Sequence, residues 1–157
     1  MMSQPVDQNV LFLPDQAATE ALAQHMAPHV LPGDVLLLSG DIGAGKSCFA
    51  RAFIRALLGA GVDVPSPTYT LVQTYEADSV TICHADLYRI SHGDEVLELG
   101  LLDMPQAICL IEWPEHAGAV WGETALHLTF RPQNDGRDVQ VTGHPRLVAA
   151  LVAAARG

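Results

Sequence analysis

The sequence predicts an α/β fold, with a mixed, mostly parallel β-sheet flanked by helices and extended by antiparallel hairpins. Residues 35–38 and 107–111 are unbroken apolar runs, a pattern typical of strands covered on both faces. The first run leads through a glycine-rich loop into an amphipathic helix, the order expected in a layered parallel sheet. The turn-like segments 76–79 and 134–136 each separate two apolar segments and predict the hairpins.

The 157 residues are predicted to form a single domain, 1–157. Hydrophobic residues make up 49% of the chain and charged residues only 17%, a composition too apolar for disorder. A chain of this length buries roughly 70% of the surface that its unfolded form exposes, so it needs no disulfide or structural metal to fold. No segment repeats with a period of 20 to 50 residues, and none has the composition of a linker.

The first half of the chain supplies the predicted strand, loop and helix. A short apolar stretch, 10–13, precedes Pro14 and Asp15, and Asp15 is predicted to cap a helix that stops before the turn at 32–34. After the buried strand and the glycine loop, a second helix begins at Lys46 and ends near Gly59. The predicted buried stripe of this second helix contains Phe49, Ala52, Phe53, Ala56 and Leu57.

The second half is predicted to add two hairpins, one buried strand and two helices. The first hairpin pairs 69–75 with 80–85, and the second pairs 124–130 with 139–142. A short helix at 93–99 and the strand that ends in Glu112 lie between them. A last helix, 145–155, is predicted to cover a face or an edge of the sheet.

Composition excludes several classes of protein. The longest apolar run, 147–155, is far shorter than the about 20 residues that cross a bilayer, so no membrane span is expected. Segment 1–10 has no Lys or Arg and opens no apolar core, so we expect no secretory signal and a cytoplasmic location. Cys48, Cys83 and Cys109 form no C-x-x-C pair and are expected to be reduced, buried small hydrophobes.

The charge balance argues against direct binding of nucleic acid. Eight Lys and Arg stand against 18 Asp and Glu, which gives a net charge of −10 and a field that repels phosphate backbones. Any link to RNA is therefore expected to go through a partner. Lys46 is the only lysine in the chain.

That lysine belongs to a phosphate-binding motif. Residues 40–47, GDIGAGKS, match G-x-x-x-x-G-K-[ST] and lie between a predicted strand and a predicted helix. Glycines let consecutive amides converge on one anion, and the helix N-terminus adds a positive dipole end. Lys46 is predicted to reach the β- and γ-phosphates of a bound polyphosphate, and the Ser47 hydroxyl to take one position on Mg²⁺. The predicted nucleotide-binding residues are Gly40, Asp41, Ile42, Gly43, Ala44, Gly45, Lys46, Ser47, Cys48 and Thr68.

Two acids are candidates for a second Mg²⁺ ligand. Glu112 ends the strongest buried run, and Asp86 follows the apolar segment 80–85. At this stage either acid is a possible metal ligand or the group that orients the attacking water, and either is also compatible with a solvated strand end. Lys46, Asp86 and Glu112 are the predicted catalytic residues.

Four features near these acids are each compatible with a functional role or with a structural role. Segment 65–70, with two prolines and three hydroxyls, is compatible with a switch loop over the γ-phosphate or with an ordinary proline turn. His84 and Trp113 flank the acids, and packing is the simpler reading of each. Arg89 is compatible with a phosphate clamp or with a surface pair to Asp94 or Glu95.

The motifs together resemble a known family, the bacterial TsaE ATPases of tRNA threonylcarbamoyladenosine biosynthesis. The resemblance covers roughly residues 13–130 and is carried by five segments in family order: 40–47, 66–72, 84–89, 98–100 and 111–115. It implies a small ATPase that binds ATP and Mg²⁺ and works with two partner proteins, TsaB and TsaD. That assembly modifies the adenosine beside the tRNA anticodon, and the ATPase meets tRNA only through the partners.

The resemblance also implies roles for individual residues. Ser47 and Glu112 match the family's magnesium positions, Asp86 matches a second functional acid near the metal, and the segment that begins at Ser66 matches the switch region. Family members more often carry Thr at the position of Ser47, and the hydroxyl is kept here.

Two other functions share parts of this pattern. A small-molecule kinase would share the strand, loop and helix, but no arginine-rich lid is evident in the sequence. An ATP-dependent, non-catalytic binding module would use the same loop without turnover. A guanine-specific Asn-Lys-x-Asp element is excluded because the single lysine already lies in the phosphate loop.

Overall fold

The computed structural model describes residues 9–92, 94–118 and 120–156. Within these residues one sheet contains seven strands, and four α-helices pack on it. The strands are β1 (Asn9–Leu13), β2 (Val35–Ser39), β3 (Val72–Ala77), β4 (Val80–Asp86), β5 (Ile108–Glu112), β6 (Leu126–Gln133) and β7 (Gly136–Gly143). The helices are α1 (Gln16–Met26), α2 (Lys46–Leu58), α3 (Asp94–Glu98) and α4 (Pro145–Arg156).

The sheet has a parallel centre and antiparallel edges. The strand order is β1-β7-β6-β2-β5-β4-β3. The pairs β6-β2, β2-β5 and β5-β4 are parallel, whereas β1-β7, β7-β6 and β4-β3 are antiparallel. The predicted mixed α/β sheet with two hairpins is confirmed, and the phosphate loop follows its central strand.

Both faces of the sheet are covered, which explains the unbroken apolar runs. Leu36 and Leu38 of β2 point into a core formed with α1, α2 and α4, whereas Leu37 points into a second core on the other face. That second core contains Cys83, Cys109 and residues of α3 and of the 3₁₀ turns Leu101–Asp103 and Pro114–Ala117. Every residue of β5 is buried for the same reason.

The ends of the first two helices follow the predicted signals. The Asp15 carboxylate accepts a hydrogen bond from the Ala18 amide at 2.9 Å and caps α1. Gly59 ends α2 at φ 122°, a conformation that favours glycine. Within the predicted stripe of α2, Phe49, Ala52 and Phe53 are buried and Leu57 is half-buried, but Ala56 is exposed.

The first hairpin differs from its predicted boundaries. Strand β3 begins at Val72 instead of Tyr69, because the Leu71 amide donates to the Pro67 carbonyl at 2.7 Å and closes a turn over 67–70. The hairpin turn itself contains only Asp78 and Ser79, and a φ of 48° at Asp78 makes this tight turn possible. The hairpin is confirmed, and only its ends were wrong.

The remaining elements agree closely with expectation. Helix α3 covers 94–98, and the predicted first residue, Gly93, lies outside the described residues. In the second hairpin the turn is Asn134 and Asp135, so both strands are longer than predicted. Helix α4 buries Leu147 and Leu151 against the face that carries α1. None of the described helices has the length and apolarity needed to cross a bilayer.

The cysteines are free, as predicted. Cys83 and Cys109 are buried neighbours on β4 and β5, and Cys48 is half-buried at the start of α2. They pack as small apolar side chains.

Candidate nucleotide-binding site

The loop between β2 and α2 needs glycine at two points where another chain segment comes close. A Cβ on Gly40, at φ 140°, would lie 2.6 Å from the carbonyl oxygen of Phe130. A Cβ on Gly45, at φ 119°, would lie 2.6 Å from a guanidinium nitrogen of Arg137. The loop therefore packs tightly against the β6-β7 hairpin, which fixes its path.

A cleft of about 430 Å³ opens beside this loop. Helix α2 begins at its wall, and the ends of β4 and β5 form the opposite side. Its lining residues are Gln16, Ile42, Gly43, Gly45, Lys46, Ser47, Cys48, Arg51, Thr68, Asp86, Tyr88, Glu112, Trp113 and Arg137. A cavity of this size accommodates a nucleotide-sized ligand.

Lys46 is buried in the cleft wall, with only 4% of its surface exposed. Its ammonium donates a hydrogen bond to the Gly40 carbonyl and lies 3.6 Å from the centroid of the Trp113 ring. Burial lowers the pKa of Lys46 below its ordinary value, while the charges of Glu112 and Asp86 act in the opposite direction. The buried ammonium is thus held by a carbonyl and an aromatic face, and an incoming anion would pair with it more strongly.

A chain of hydrogen bonds joins the phosphate loop to β5 and β4. The Ser47 hydroxyl donates to Glu112 Oε1 at 3.0 Å, and His84 Nε2 lies 2.7 Å from Glu112 Oε2. Glu112 and His84 are 2% and 1% exposed, so both carboxylate oxygens are held by buried hydrogen bonds at the cleft wall. His84, for which packing was the simpler reading, contacts a predicted functional acid directly.

Asp86 lies beside Glu112 in the strand register and is connected to the proline-containing segment. Its Oδ1 accepts from the Tyr88 amide at 2.9 Å, and its Oδ2 accepts from the Thr68 hydroxyl at 3.3 Å. Thr68 in turn lies 2.6 Å from the Ser66 hydroxyl. The structure therefore places the turn at 66–70 against the second acid, with Thr68 on the cleft wall.

An aromatic cluster closes the same side of the cleft. Trp113 packs at 4.9 Å from Tyr88 and 5.5 Å from His116, measured between ring centroids. Trp113 adopts φ 57°, an uncommon backbone conformation for a bulky residue. This turn directly after Glu112 places the indole under the Lys46 ammonium.

Not every predicted site residue lines the cleft. Ile42, Gly43, Gly45, Lys46, Ser47, Cys48, Thr68, Asp86 and Glu112 do. Gly40 contacts Lys46 through its carbonyl, Asp41 is exposed and accepts from the Ala44 amide, and Ala44 is buried. Arg89 does not line the cleft and, among the described residues, forms no ion pair with Asp94 or Glu95: it is exposed and its guanidinium lies 5.9 Å from the centroid of the Tyr69 ring.

Three cleft residues were not predicted from the sequence: Arg51, Tyr88 and Arg137. Gln16, which also lines the cleft, lies in the segment 13–19 to which the family resemblance points for the adenine. Arg51 follows Ser47 by one helical turn, so its position was accessible from helix periodicity. Arg137 reaches the cleft because the predicted β6-β7 hairpin pairs with β2 on one side and β1 on the other, and no local pattern reveals these long-range pairings.

A second polar cluster lies on the other face of β2. The Ser39 hydroxyl donates to Glu115 at 3.1 Å and lies 2.9 Å from His127 Nε2. Burial lowers the pKa of His127, although the charge of Glu115 acts in the opposite direction. The cluster connects the residue before Gly40 to the segment that follows Trp113.

The parallel sheet centre, the glycine loop at the helix start and the convergent polar groups define an α/β protein of the P-loop class. A family model described as "Threonylcarbamoyl adenosine biosynthesis protein TsaE" matches residues 13–139. The chain therefore belongs to the TsaE family.

Curated relatives and a solved structure agree with this assignment. A "tRNA threonylcarbamoyladenosine biosynthesis protein TsaE" of Bacillus subtilis is 40% identical over 125 residues, which is 79% of this chain and 78% of that protein. A protein of the same name from Rickettsia felis is 40% identical over 107 residues, or 68% of this chain and 63% of that protein. A crystal structure of Bacillus subtilis YdiB superposes with a TM-score of 0.76 at 27% identity, covering 98% of both chains.

The matches differ in how much of each relative they span. The aligned part covers less than two thirds of the Rickettsia felis protein and 59% of the one from Rickettsia conorii. It covers 94% of the relative from Haemophilus influenzae, at 29% identity.

Proposed function

We propose that this protein is an Mg²⁺-dependent ATPase required for threonylcarbamoyladenosine modification of tRNA, acting with TsaB and TsaD. Membership of the TsaE family supports the pathway. The observation that carries the ATPase proposal is the buried arrangement of Lys46 and the Ser47–Glu112 hydrogen bond at the phosphate loop.

The loop and Lys46 are the groups that bind the nucleotide in this proposal. The amides of residues 43–47 surround the start of α2, where the helix dipole favours the polyphosphate. Lys46 exchanges the Gly40 carbonyl for β- and γ-phosphate oxygens, because a charge-assisted bond in a buried site is stronger than a neutral one. The ammonium then stabilises charge on the γ-phosphoryl group during transfer.

The residues present fit Mg²⁺. Ser47 Oγ and Glu112 Oε1, 3.0 Å apart, are hard oxygen donors at the end of the loop, and Asp86 lies next in register to Glu112. Among the described residues no group of three or more His, Cys, Asp or Glu is placed to hold a metal, so Ser47 and Glu112 would supply only part of the coordination of Mg²⁺. When bound, Mg²⁺ neutralises charge on the β- and γ-phosphates.

The two acids are assigned different roles. Glu112 holds the metal because it is the acid bonded to Ser47. Asp86 orients the attacking water, because its carboxylate lines the cleft and contacts the hydroxyl of Thr68. Movement of the segment 66–70 would change that contact, so this segment acts as the switch that responds to the γ-phosphate.

The partners complete the function. A net charge of −10 disfavours direct contact with tRNA. The family resemblance implies that the modification chemistry and the contact with tRNA belong to the assembly with TsaB and TsaD. ATP hydrolysis here resets or powers that assembly. A small-molecule kinase and a non-catalytic ATP-dependent module are the alternatives that the experiment must separate.

The test measures ATP binding, phosphate release and tRNA modification, with and without purified TsaB and TsaD. Lys46→Ala is expected to reduce hydrolysis by about 100-fold or more because it removes the buried cation. Glu112→Ala is expected to abolish Mg²⁺-dependent turnover. Arg131→Ala, which removes an exposed cation on β6, is the matched control and should behave as wild type.

Four outcomes would contradict the proposal. Unchanged hydrolysis in Lys46→Ala would remove its chemical basis. Intact tRNA modification in Glu112→Ala would favour the non-catalytic module, and transfer of the γ-phosphoryl to a metabolite would favour the kinase. Hydrolysis that is indifferent to both partners would separate the ATPase from the modification pathway.

A further inference from the structure

Arg137 links the second hairpin to the phosphate loop. It is the second residue of β7, where it pairs with Leu13 of β1 and with Pro132 of β6. Its guanidinium reaches across to the start of α2, where Nη1 occupies the space beside Gly45 in which a side chain would otherwise stand. The side chain is half-buried and forms part of the cleft wall.

A second arginine approaches the same point. Arg51 lines the cleft from α2, and Arg137 and Cys48 line the same cleft. Burial and the charge of Glu20 raise the pKa of Cys48, whereas the charges of Arg137 and Arg51 act in the opposite direction. Arg137 and Arg51 converge on the first turn of α2, where the helix dipole is also positive.

Neither guanidinium group has an ion-pair partner in the described part of the chain, although the Glu20 carboxylate lies on the neighbouring surface with Arg51. No carboxylate there lies within ion-pair distance of Arg137 or Arg51, and neither side chain donates a hydrogen bond to a described residue. By contrast, Arg146 pairs with Asp34 at 2.6 Å. Two unpaired guanidinium groups beside a helix N-terminus repel one another, and a bound polyanion removes that repulsion.

The position of the arginines indicates which part of the polyanion they contact. The acids Asp86 and Glu112 gather near Ser47 with Thr68 and Trp113, so the transferred phosphate belongs on that side. Arg137 reaches the space beside Gly45, and Arg51 lines the cleft one turn of α2 beyond Ser47. In loops of this class the backbone amides hold the α- and β-phosphates while the lysine reaches the β- and γ-phosphates.

We propose that Arg137, together with Arg51, binds the α-phosphate end of the nucleotide, the part that is kept in both ATP and ADP. This inference rests on the proposed function, since it assigns a ligand group to the same cleft. It makes the β6-β7 hairpin part of the nucleotide site. It also means that the chain supplies two cations to the phosphates in addition to Lys46. Contact with the γ-phosphoryl group instead is an alternative that the kinetics distinguish.

The experiment compares Arg137→Gln with Arg131→Gln, which removes the same charge from an exposed position on the same hairpin. Calorimetry with Mg·ATP and with Mg·ADP gives the two dissociation constants, and steady-state kinetics give KM and kcat. For Arg137→Gln both dissociation constants and KM are expected to rise about tenfold, by similar factors, because one charge-assisted contact is lost from both nucleotides. Arg131→Gln should match wild type.

Other outcomes overturn the inference. Unchanged affinity for ATP and ADP in Arg137→Gln excludes a phosphate contact. A fall in kcat with unchanged ADP affinity places Arg137 at the γ-phosphoryl group. If Arg137→Gln does not fold, as judged by circular dichroism without nucleotide, Arg51→Gln must show the same parallel loss for both nucleotides, and wild-type affinity there overturns the inference.

The same measurements separate this inference from the proposed function. If the wild-type protein binds no ATP, with or without TsaB and TsaD, both the proposed function and this inference are excluded. If the wild-type protein binds and hydrolyses ATP, and Arg137→Gln and Arg51→Gln are as active as wild type at low ATP concentration, only the proposed role of the arginines is excluded.

Discussion

His84 is the side chain whose position best explains how a buried carboxylate is kept in a useful orientation. His84 Nε2 lies 2.7 Å from Glu112 Oε2, and the tautomer with the proton on Nε2 donates a hydrogen bond to this carboxylate oxygen. The other nitrogen, Nδ1, is buried and has no partner among the described residues. A lone pair left there is tolerated better than a buried N–H, which favours the same tautomer. His84 thus positions Glu112 without touching the cleft.

Replacing His84 separates positioning from packing. His84→Gln keeps a donor near the place of Nε2, whereas His84→Leu keeps volume and loses the donor. We expect the Mg²⁺ concentration for half-maximal hydrolysis to rise about tenfold or more in His84→Leu and to stay near wild type in His84→Gln. ATP affinity measured in EDTA should be equal in both. Equal Mg²⁺ dependence in the two variants would reduce His84 to a packing residue.

His127 supplies a pH dependence of stability. Burial lowers its pKa from the ordinary value of 6.5, so the unfolded chain binds more protons than the folded one on the acid side. The stabilisation from neutral His127 is therefore complete above that ordinary value and is lost as the pH falls through the lowered pKa. The free energy difference between wild type and His127→Gln should shrink between about pH 7.5 and about pH 5.5.

Urea unfolding at several pH values measures that difference. His29→Gln, an exposed histidine whose side chain has no contact among those described, is the control and should give a constant difference. A constant difference for His127→Gln as well would mean that the imidazole is as easily protonated in the fold as outside it.

Single residues were predictable where a short motif defines them. Lys46 and Ser47 follow from the loop pattern, and Glu112 and Asp86 follow from the ends of two apolar runs. Arg137 was not predictable, because its place depends on pairing between strands that lie more than 100 residues apart in the chain. His84 was visible in the sequence, but its contact with Glu112 depends on the register of β4 with β5.

Among the secondary-structure elements, those with local signals were predicted best. Strands β2 and β5 are buried on both faces, and helix α2 has an apolar stripe and a glycine end, so their limits can be read locally. The start of β3 was wrong because the residues before it are held by a tertiary contact: Thr68 bonds to Asp86 and keeps the turn closed. The turn before β3, which lies next to the predicted functional acid Asp86, is thus a segment in which tertiary contacts override the local preference for a strand.

The cap of α1 gives a prediction at this level. Asp15→Ala removes the only side-chain acceptor described for the first-turn amides of α1, so the free energy of unfolding should fall by about 1 kcal/mol. Asp63→Ala removes the same charge from an exposed loop and is the matched control. Urea denaturation measures both, and an equal effect of the two substitutions would show that charge, not capping, is responsible.

At the level of the whole molecule, one sheet edge gathers groups from distant parts of the chain. The cleft combines residues of α1, the phosphate loop, α2, the turn before β3, and the ends of β4, β5 and the β6-β7 hairpin. This is the carboxyl edge of the parallel centre, where open α/β sheets place their ligands. A nucleotide bound there contacts both halves of the sheet, so its binding is expected to stabilise the fold as a unit.

The distribution of charge over the whole molecule predicts how it meets RNA. The net charge is −10, and four of the eight basic residues, Lys46, Arg51, Arg55 and Arg137, lie in or next to the cleft instead of forming an exposed basic face. Non-specific RNA affinity needs cations that displace counterions along a phosphate backbone. We therefore expect no binding of labelled tRNA by the protein alone at about 10 µM, even at about 50 mM salt.

Fluorescence anisotropy tests this expectation in two steps. In the first, the protein is titrated alone, with and without Mg·ATP, and the anisotropy should stay flat. In the second, TsaB and TsaD are added, and any tRNA complex should depend on them and not on the basic residues of this chain, so that Arg131→Ala changes nothing. Tight, salt-dependent binding by the protein alone would contradict the division of labour proposed above, because the RNA surface would then belong to this chain.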